Sequence, residues 1–191
     1  MKNLLAFLLI TIFATAVCAA DLGDDGLHKT SWMRDTFKDL SEDLEEANEL
    51  GKRFVIIFEQ RGCVYCTEMH KNVFPRPEIA SYLHENYFAV QLNLYGGVDV
   101  TDFDGETLSE KEMAQKWGIL FTPTMLFLPK QIKEGNTAVK EAVAIMPGAF
   151  KKGTVLDMLT WVNEKHYESD RFGFQRYHSK RIQQRLDGST D

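Results

Sequence analysis

Cysteine is scarce in this sequence of 191 residues, which has only Cys18, Cys63 and Cys66. Cys18 lies in an apolar N-terminal segment that we expect to be removed, so any intramolecular disulfide joins Cys63 to Cys66. A bridge across so short a loop removes little entropy from the unfolded chain and stabilises a fold weakly. The scarcity argues against a disulfide-stabilised scaffold and leaves two other interpretations of the pair, a redox centre or ligands of a metal.

Positive charge and long apolar runs are limited as well. The chain has 22 Lys and Arg residues against 28 Asp and Glu, for a net charge of −6. Such an acidic chain has no electrostatic basis for binding nucleic acid. Beyond residue 20 the sequence has no internal repeat and no apolar run that could span a membrane. It also lacks the second CxxC pair or paired histidines that a structural zinc site needs.

Residues 1–20 have the pattern of a secretory signal peptide. A single cation, Lys2, precedes an apolar run over residues 4–17, and small residues follow it at Cys18, Ala19 and Ala20. We expect cleavage near Ala20, which leaves 171 residues with a net charge of −7, because Lys2 is the only charged residue removed. Lipidation of Cys18 is the alternative, although Val17 is a poor fit where a small residue is required.

The remaining length suits one domain with a substantial core, and its apolar patterns predict a mixed α/β sheet with helices on both faces. An amphipathic helix is predicted over residues 31–50, with its apolar face formed by Phe37, Leu40, Leu44, Ala47 and Leu50. The later elements are, in order, strand 53–60, a helix opened by the cysteines, helix 77–87, strand 88–95, a helix from a capping box at Ser109 and Glu112 to Gly118, strands 124–128 and 138–146, and a last helix that includes Val155 to Val162.

Residues 96–108 are predicted to form a solvated acidic loop. Its "DFDG" stretch hints at an EF-hand, with Gly105 at the sixth position of the calcium loop. The first and twelfth positions would then be Val100 and Lys111, where carboxylates are needed. We therefore exclude an EF-hand.

Cys63 is predicted to stand at the N-terminus of a helix that follows a buried strand. The unpaired N–H groups and the helix dipole at that place stabilise a thiolate and lower the pKa of the thiol. Cys66, one turn deeper, is expected to be more enclosed, so the pair has an exposed attacking thiol and a resolving thiol. The metal interpretation stays open at this point, because Cys66 and His70, with Met69 beside them, could join Cys63 in holding copper(I).

Two further stretches of the sequence carry a resemblance to thioredoxins. "WGILFTPTMLFL" (117–128) resembles the thioredoxin segment in which a helix leads into a cis-proline loop and a strand, and "MPGAFKKG" (146–153) resembles the segment before the last helix. The resemblance covers residues 31–166. It implies a thioredoxin fold, a redox-active pair without metal or other cofactor, and a cis bond at Thr122–Pro123 that faces the cysteines and binds clients, with Tyr65 contributing to their choice.

Within that superfamily the chain is most similar to the periplasmic thioredoxins of sulfur-oxidation operons, the SoxW type. The stretches that carry this likeness are "GCVYCTEMH" (62–70), "FPRPEIASYL" (74–83) and the segment from "QLNLYGG" (91–97) to "FTPT" (121–124). The likeness implies a periplasmic reductase of protein disulfides, with the sulfur-oxidation carrier protein as a client and a membrane thiol-transfer protein as electron donor. The alternatives are a disulfide oxidase or isomerase in the folding of exported proteins, or a redox-inert or copper-binding module with the thioredoxin fold.

The sequence departs from ordinary thioredoxins at two positions of the strand before the cysteines. Ile57 stands where the buried aspartate that helps to deprotonate the second cysteine is usual, and Glu59 stands near the position of the usual tryptophan. Our hypothesis is that Glu59 takes the catalytic role of proton acceptor for Cys66. The alternative is an ordinary surface carboxylate.

The predicted organisation is a signal peptide over residues 1–20, a thioredoxin-like domain over 21–166 and a basic C-terminal extension over 167–191. The extension carries Arg171, Arg176, Lys180, Arg181 and Arg185. It is interpreted as an extra helix or strap lying over the domain, with a docking arm for an acidic partner as the alternative.

Overall fold

A five-stranded mixed sheet forms the centre of the protein, whose computed structural model describes residues 20–169 and 173–188. In spatial order its strands are β3 (Met33–Arg34), β5 (Tyr87–Asn93), β4 (Arg53–Glu59), β8 (Thr124–Phe127) and β9 (Ala144–Pro147). β3 and β4 run parallel to β5, whereas β8 is antiparallel to both β4 and β9. Two short hairpins stand beside the sheet, β1 (Asp21–Leu22) with β2 (His28–Lys29) and β6 (Asp99–Thr101) with β7 (Thr107–Ser109).

Helices cover both faces of this sheet. They are α1 (Leu40–Glu49), α2 (Val64–Asn72), α3 (Pro77–Asn86), α4 (Glu110–Lys116), α5 (Ala138–Glu141), α6 (Lys152–Asn163), α7 (His166–Ser169) and α8 (Gly173–Leu186). Apolar side chains of α2, α3 and α6 form one core cluster against the sheet, and those of α1 and α4 form a second. All seven residues of β4 are buried, because this central strand is covered on both faces. The predicted mixed sheet with helices on both faces is therefore confirmed.

Two predicted elements are wrong in part. The helix predicted over residues 31–50 begins only at Leu40, where Asp39 caps it, and β3 occupies the start of that range. Phe37 and Leu50 were assigned to the buried face, yet they are 96% and 49% exposed. The strand predicted over residues 138–146 is the short helix α5 followed by β9.

The acidic segment 96–108 is also more ordered than the solvated loop that the sequence predicts. Most of it belongs to the β6–β7 hairpin over residues 99–109, and Val100 and Asp102 are buried. The Asp102 carboxylate accepts hydrogen bonds from Trp117 Nε1 and from the backbone N–H of Ala138, both at 2.8 Å. The cation among these carboxylates is the Lys116 ammonium, which lies 3.2, 2.7 and 3.0 Å from Asp102, Asp104 and Glu106.

The described part of the C-terminal extension is helical and packs on the domain, as the first interpretation predicts. Phe174 and Tyr177 of α8 contact the core cluster that includes α6. Below them the buried carboxylate of Asp157 accepts two hydrogen bonds of 2.8 Å from Arg185, and His178 Nδ1 lies 2.6 Å from it. The domain boundaries themselves stay predictions.

The predicted signal peptide, up to residue 19, lies outside the described residues, as do Cys18 and Arg171. Within the described ranges, none of the helices has the length and apolar character needed to cross a membrane.

Candidate active site

Cys63 stands at the N-terminus of α2 because a buried strand, a glycine turn and a helix follow one another here. β4 ends at Glu59, and Gly62 has a φ of +71°, a conformation that favours glycine and lets the chain turn into the helix. Cys63 is the N-cap residue, and its sulfur accepts a hydrogen bond from the backbone N–H of Cys66 at 3.0 Å. The predicted position of Cys63 at a helix N-terminus is thus observed.

The two cysteines are joined in a disulfide. Cys66 is fully buried and Cys63 is 5% exposed. The order of exposure agrees with the prediction, but Cys63 is much less open to solvent than an exposed attacking thiol, because neighbouring segments cover it. Only a small part of Cys63 is therefore accessible to a client.

The loop before β8 provides the wall opposite that sulfur. The Thr122–Pro123 peptide bond is cis, as the resemblance implies. The Thr122 hydroxyl donates to the Cys63 sulfur at 3.3 Å, and the Thr122 carbonyl oxygen lies 3.6 Å from the same sulfur. The structure therefore brings Cys63, Cys66, Thr122 and Pro123 together, although they come from segments almost 60 residues apart.

Large apolar side chains next to this contact are exposed, and we call them the apolar rim: Val64, Tyr65, Leu120 and Phe121. Their exposed fractions are 77%, 67%, 75% and 64%. Tyr65 was predicted to contribute to client choice and is accessible for it. Val64, Leu120 and Phe121 were not predicted as part of the site. Their apolar character beside the two recognisable motifs could have indicated it.

Glu59 has an environment that the sequence did not predict. It is completely buried, so the surface-carboxylate alternative is wrong. Its Oε1 lies 2.7 Å from His70 Nε2, and its Oε2 accepts a hydrogen bond from the Gln91 amide at 2.8 Å. Its catalytic role as proton acceptor for Cys66 stays a prediction.

His28, which the sequence reasoning missed, completes this polar cluster. Its ring stacks on that of His70 with centroids 4.4 Å apart, and its Nδ1 lies 3.9 Å from Glu59 Oε2. Burial lowers the pKa of His28, the neighbouring His70 lowers it further, and Glu59 acts in the opposite direction. No local motif marks His28, because only the pairing of β1 with β2 brings it to α2.

The residues considered from the sequence as copper ligands have other partners in this oxidised structure. The sulfurs of Cys63 and Cys66 are bonded to each other, and His70 is engaged by Glu59. The Met69 sulfur accepts a hydrogen bond from the backbone N–H of Phe150 at 3.4 Å.

Comparison with known proteins places this geometry in a family. The model of a thioredoxin-like domain matches residues 40–159. A thioredoxin-fold protein from Helicobacter pylori superposes with a TM-score of 0.58 at 16% identity, covering 87% of this chain and 95% of that one. A thioredoxin from Thermus thermophilus gives 0.49 at 22% identity, covering 65% and 83%. The oxidised C-terminal domain of Neisseria meningitidis DsbD gives 0.43 at 13%, covering 64% and 91%. No curated protein matches the sequence.

The family match extends over more than half of the chain and includes both cysteines and the Thr122–Pro123 loop. The predicted thioredoxin fold, with its C-terminal helical extension, is therefore confirmed, and the chain belongs to the family of thioredoxin-like domains.

Proposed function

We propose that the protein is a thiol–disulfide oxidoreductase that reduces protein disulfides or cysteine adducts through Cys63 and Cys66. The observation that carries the proposal is the disulfide at the N-terminus of α2, in contact with Thr122 and bordered by the apolar rim. A structural staple does not need exposed apolar residues on both sides of it. A site that receives another protein does.

In the reduced protein, the Cys63 thiolate is stabilised by the backbone N–H of Cys66 and by the hydroxyl of Thr122. This thiolate attacks one sulfur of the client disulfide, forms a mixed disulfide and releases the other client sulfur as a thiolate. Cys66 then gives its proton to an acceptor, which is Glu59 in our hypothesis, attacks the Cys63 sulfur and releases the second client thiolate. Two electrons pass from the dithiol to the client, and the Cys63–Cys66 disulfide remains.

The client is expected to lie between α2 and the loop that ends in Thr122 and Pro123. The Thr122 carbonyl faces the Cys63 sulfur and is placed to accept a hydrogen bond from an extended client backbone. The apolar rim would cover the client on both sides of its disulfide.

The cellular setting is proposed from the sequence. The signal-peptide pattern and the SoxW-type stretches support a periplasmic reductase that acts on the sulfur-oxidation carrier protein. Such a reductase needs an electron donor for each turnover, and a membrane thiol-transfer protein is the donor that the likeness implies.

The reduction potential of the Cys63–Cys66 pair tests the direction of the reaction. The protein would be equilibrated with glutathione or dithiothreitol buffers and the dithiol fraction measured. A potential near that of thioredoxin, about −270 mV, is expected for a reductase. A value near about −120 mV would identify an oxidant of the alternative class instead.

The roles of the two cysteines are tested by serine variants. Cys63→Ser is expected to abolish reduction of a protein disulfide, because the attacking sulfur is lost. Cys66→Ser should retain the attack but accumulate mixed disulfides, visible on non-reducing gels and removed by dithiothreitol. Turnover retained by Cys63→Ser would exclude this mechanism.

A further inference from the structure

A second group of metal-ligating side chains lies behind the cysteine pair. One donor atom from each of His28, Glu59 and His70 falls within 4.8 Å of the others. We propose that these three residues bind one divalent transition-metal ion, with Zn²⁺ as the ion best suited to two imidazoles and a carboxylate. The site uses neither cysteine, and the inference does not depend on the proposed function.

The charge of Glu59 is the first argument. This carboxylate is 0% exposed, and a buried carboxylate is costly unless a positive charge accompanies it. Within residues 20–169 and 173–188, its ion pairs are with His28 and His70. The ammonium of Lys29 is directed to the Gln91 side-chain oxygen, at 2.8 Å. A metal ion held by both imidazoles would supply a positive charge inside this cluster.

The second argument is an incomplete hydrogen-bond set on His70, whose side chain is 1% exposed. Nε2 is engaged by Glu59, whereas Nδ1 is buried and has no hydrogen-bond partner. Buried polar atoms are nearly always paired, and a bound ion is one of the recognised explanations for a buried nitrogen that the protein leaves without a partner.

Access to the cluster is open from one side. Both histidines line a cavity between the β1–β2 hairpin and α2, together with Leu22, Gly26, Thr67 and Pro75. His28 belongs to the two-residue strand β2, and its side chain is 13% exposed, so it is the accessible and movable member of the three.

Binding requires a small rearrangement of His28. The two rings are now stacked, with only 9° between their planes, whereas donors around a tetrahedral zinc ion lie about 3.4 Å apart. His28 must therefore turn out of the stack and bring its donor closer by up to about 1.4 Å, the difference between 4.8 Å and that spacing, while the 2.7 Å contact between Glu59 and His70 opens to a similar distance. The nitrogen of His28 that faces Glu59 is Nδ1, at 3.9 Å from Oε2, so Nε2 is left for its contact with the Thr67 hydroxyl at 3.3 Å.

The test uses the oxidised protein, in which the disulfide removes both thiolates as ligands. The protein is stripped with a chelator and titrated with zinc chloride by isothermal calorimetry, and retained metal is counted after dialysis. We expect saturation at one ion per chain. His28→Ala is expected to weaken binding at least about tenfold, since it removes a ligand. His84→Ala, at an exposed histidine of α3, is the matched control and should bind as the wild type does.

The unfolding temperature measured with and without zinc provides a second test that does not depend on calorimetry. Zinc should raise the unfolding temperature of the wild type and of His84→Ala but not that of His28→Ala, because only an ion bound to the native state stabilises it. Equal zinc binding by His28→Ala and the wild type would overturn the proposal, as would the absence of saturable binding to the oxidised protein. Either result leaves the cysteine variants to decide the proposed function separately.

Discussion

The sulfur of Cys63 receives its hydrogen bonds from two segments of the chain, through the N–H of Cys66 and the hydroxyl of Thr122. Both partners could be named from the sequence, because each belongs to a short stretch with a recognisable pattern. His28 could not, since its place beside Glu59 depends on a hairpin far from the cysteines along the chain. At the scale of single residues, local chemistry is therefore predictable and the polar cluster behind it is not.

The apolar rim should matter for protein clients only. The double variant Leu120→Ser, Phe121→Ser is expected to lower kcat/KM for reduction of a disulfide-bonded protein such as insulin by about tenfold, equivalent to about 1.4 kcal/mol of lost apolar contact. Reduction of oxidised glutathione, which is too small to cover the rim, should be almost unchanged. Phe37→Ser, at a residue that is 96% exposed, is the control. Equal losses with both substrates would contradict a docking role.

Asp43 gives the protein a specific pH dependence. Burial raises the pKa of this carboxyl to about 6, with Asp39, Glu46 and Glu42 adding to the effect and a hydrogen bond from Thr36 opposing it. The folded protein therefore binds a proton more tightly than the unfolded chain, whose value is 3.8. Between these two values, stability contributed by this group falls as the pH rises.

The variant Asp43→Asn removes that ionisation. It should be more stable than the wild type at pH 7.5 by about 1–2 kcal/mol, a discounted figure because water screens part of the charge. The advantage should shrink as the pH falls towards 4. Urea unfolding at several pH values measures this, with the exposed Glu45→Gln as control. Parallel pH profiles for wild type and Asp43→Asn would be inconsistent with the raised pKa.

At the scale of elements, the predicted bounds are most accurate for strands that are buried on both faces of the sheet. β4 and β8 are short runs of apolar residues, and their observed bounds lie within a residue or two of the predicted ones. The predicted helix over residues 31–50 failed at its start because apolar spacing continues through Phe37, while Asp39 caps the helix and β3 pairs with β5. Periodicity within one segment carries no information about a pairing with a strand more than 50 residues away.

The attachment of α8 can be tested through one ion pair. Burial raises the pKa of Asp157, but hydrogen bonds from Arg185 and His178 outweigh this and hold the pKa below its ordinary value. Arg185→Gln is expected to lower the free energy of unfolding by about 1–2 kcal/mol, because Asp157 loses the two charged hydrogen bonds that the partly exposed guanidinium of Arg185 donates. Lys180→Gln, at an exposed lysine of the same helix, should stay within about 0.5 kcal/mol of the wild type. Equal effects of the two variants in urea unfolding would contradict the observed contact.

At the scale of the whole molecule, the acidic segment 96–108 shows why the burial of some polar residues cannot be predicted from local sequence patterns. Asp102 looks like one of several surface acids in the sequence. In the fold it is buried because Trp117 and Ala138, from two later elements, both donate hydrogen bonds to it. The sheet and its two apolar faces follow from local patterns, whereas buried polar residues depend on segments that meet only in the folded chain.

The packing of α8 predicts a single cooperative unfolding transition. Trp161 of the domain packs edge-on against Phe174 of α8, with ring centroids 5.9 Å apart, so the extension and the domain share one apolar cluster. Tryptophan fluorescence and far-ultraviolet circular dichroism should therefore give coincident urea transitions. An earlier transition in circular dichroism alone would mean that α8 unfolds separately.

The contact between Asp157 and α8 also sets an order of events during synthesis. The ribosome makes Asp157 first, and the partners that neutralise it, His178 and Arg185, follow 21 and 28 residues later. While those residues are still inside the exit tunnel, the face of α6 that carries Asp157 has no charged partner from α8, and water solvates the carboxylate. Burial of Asp157 and docking of α8 are therefore one late event in synthesis, which follows the release of β4, β5 and both cysteines from the ribosome.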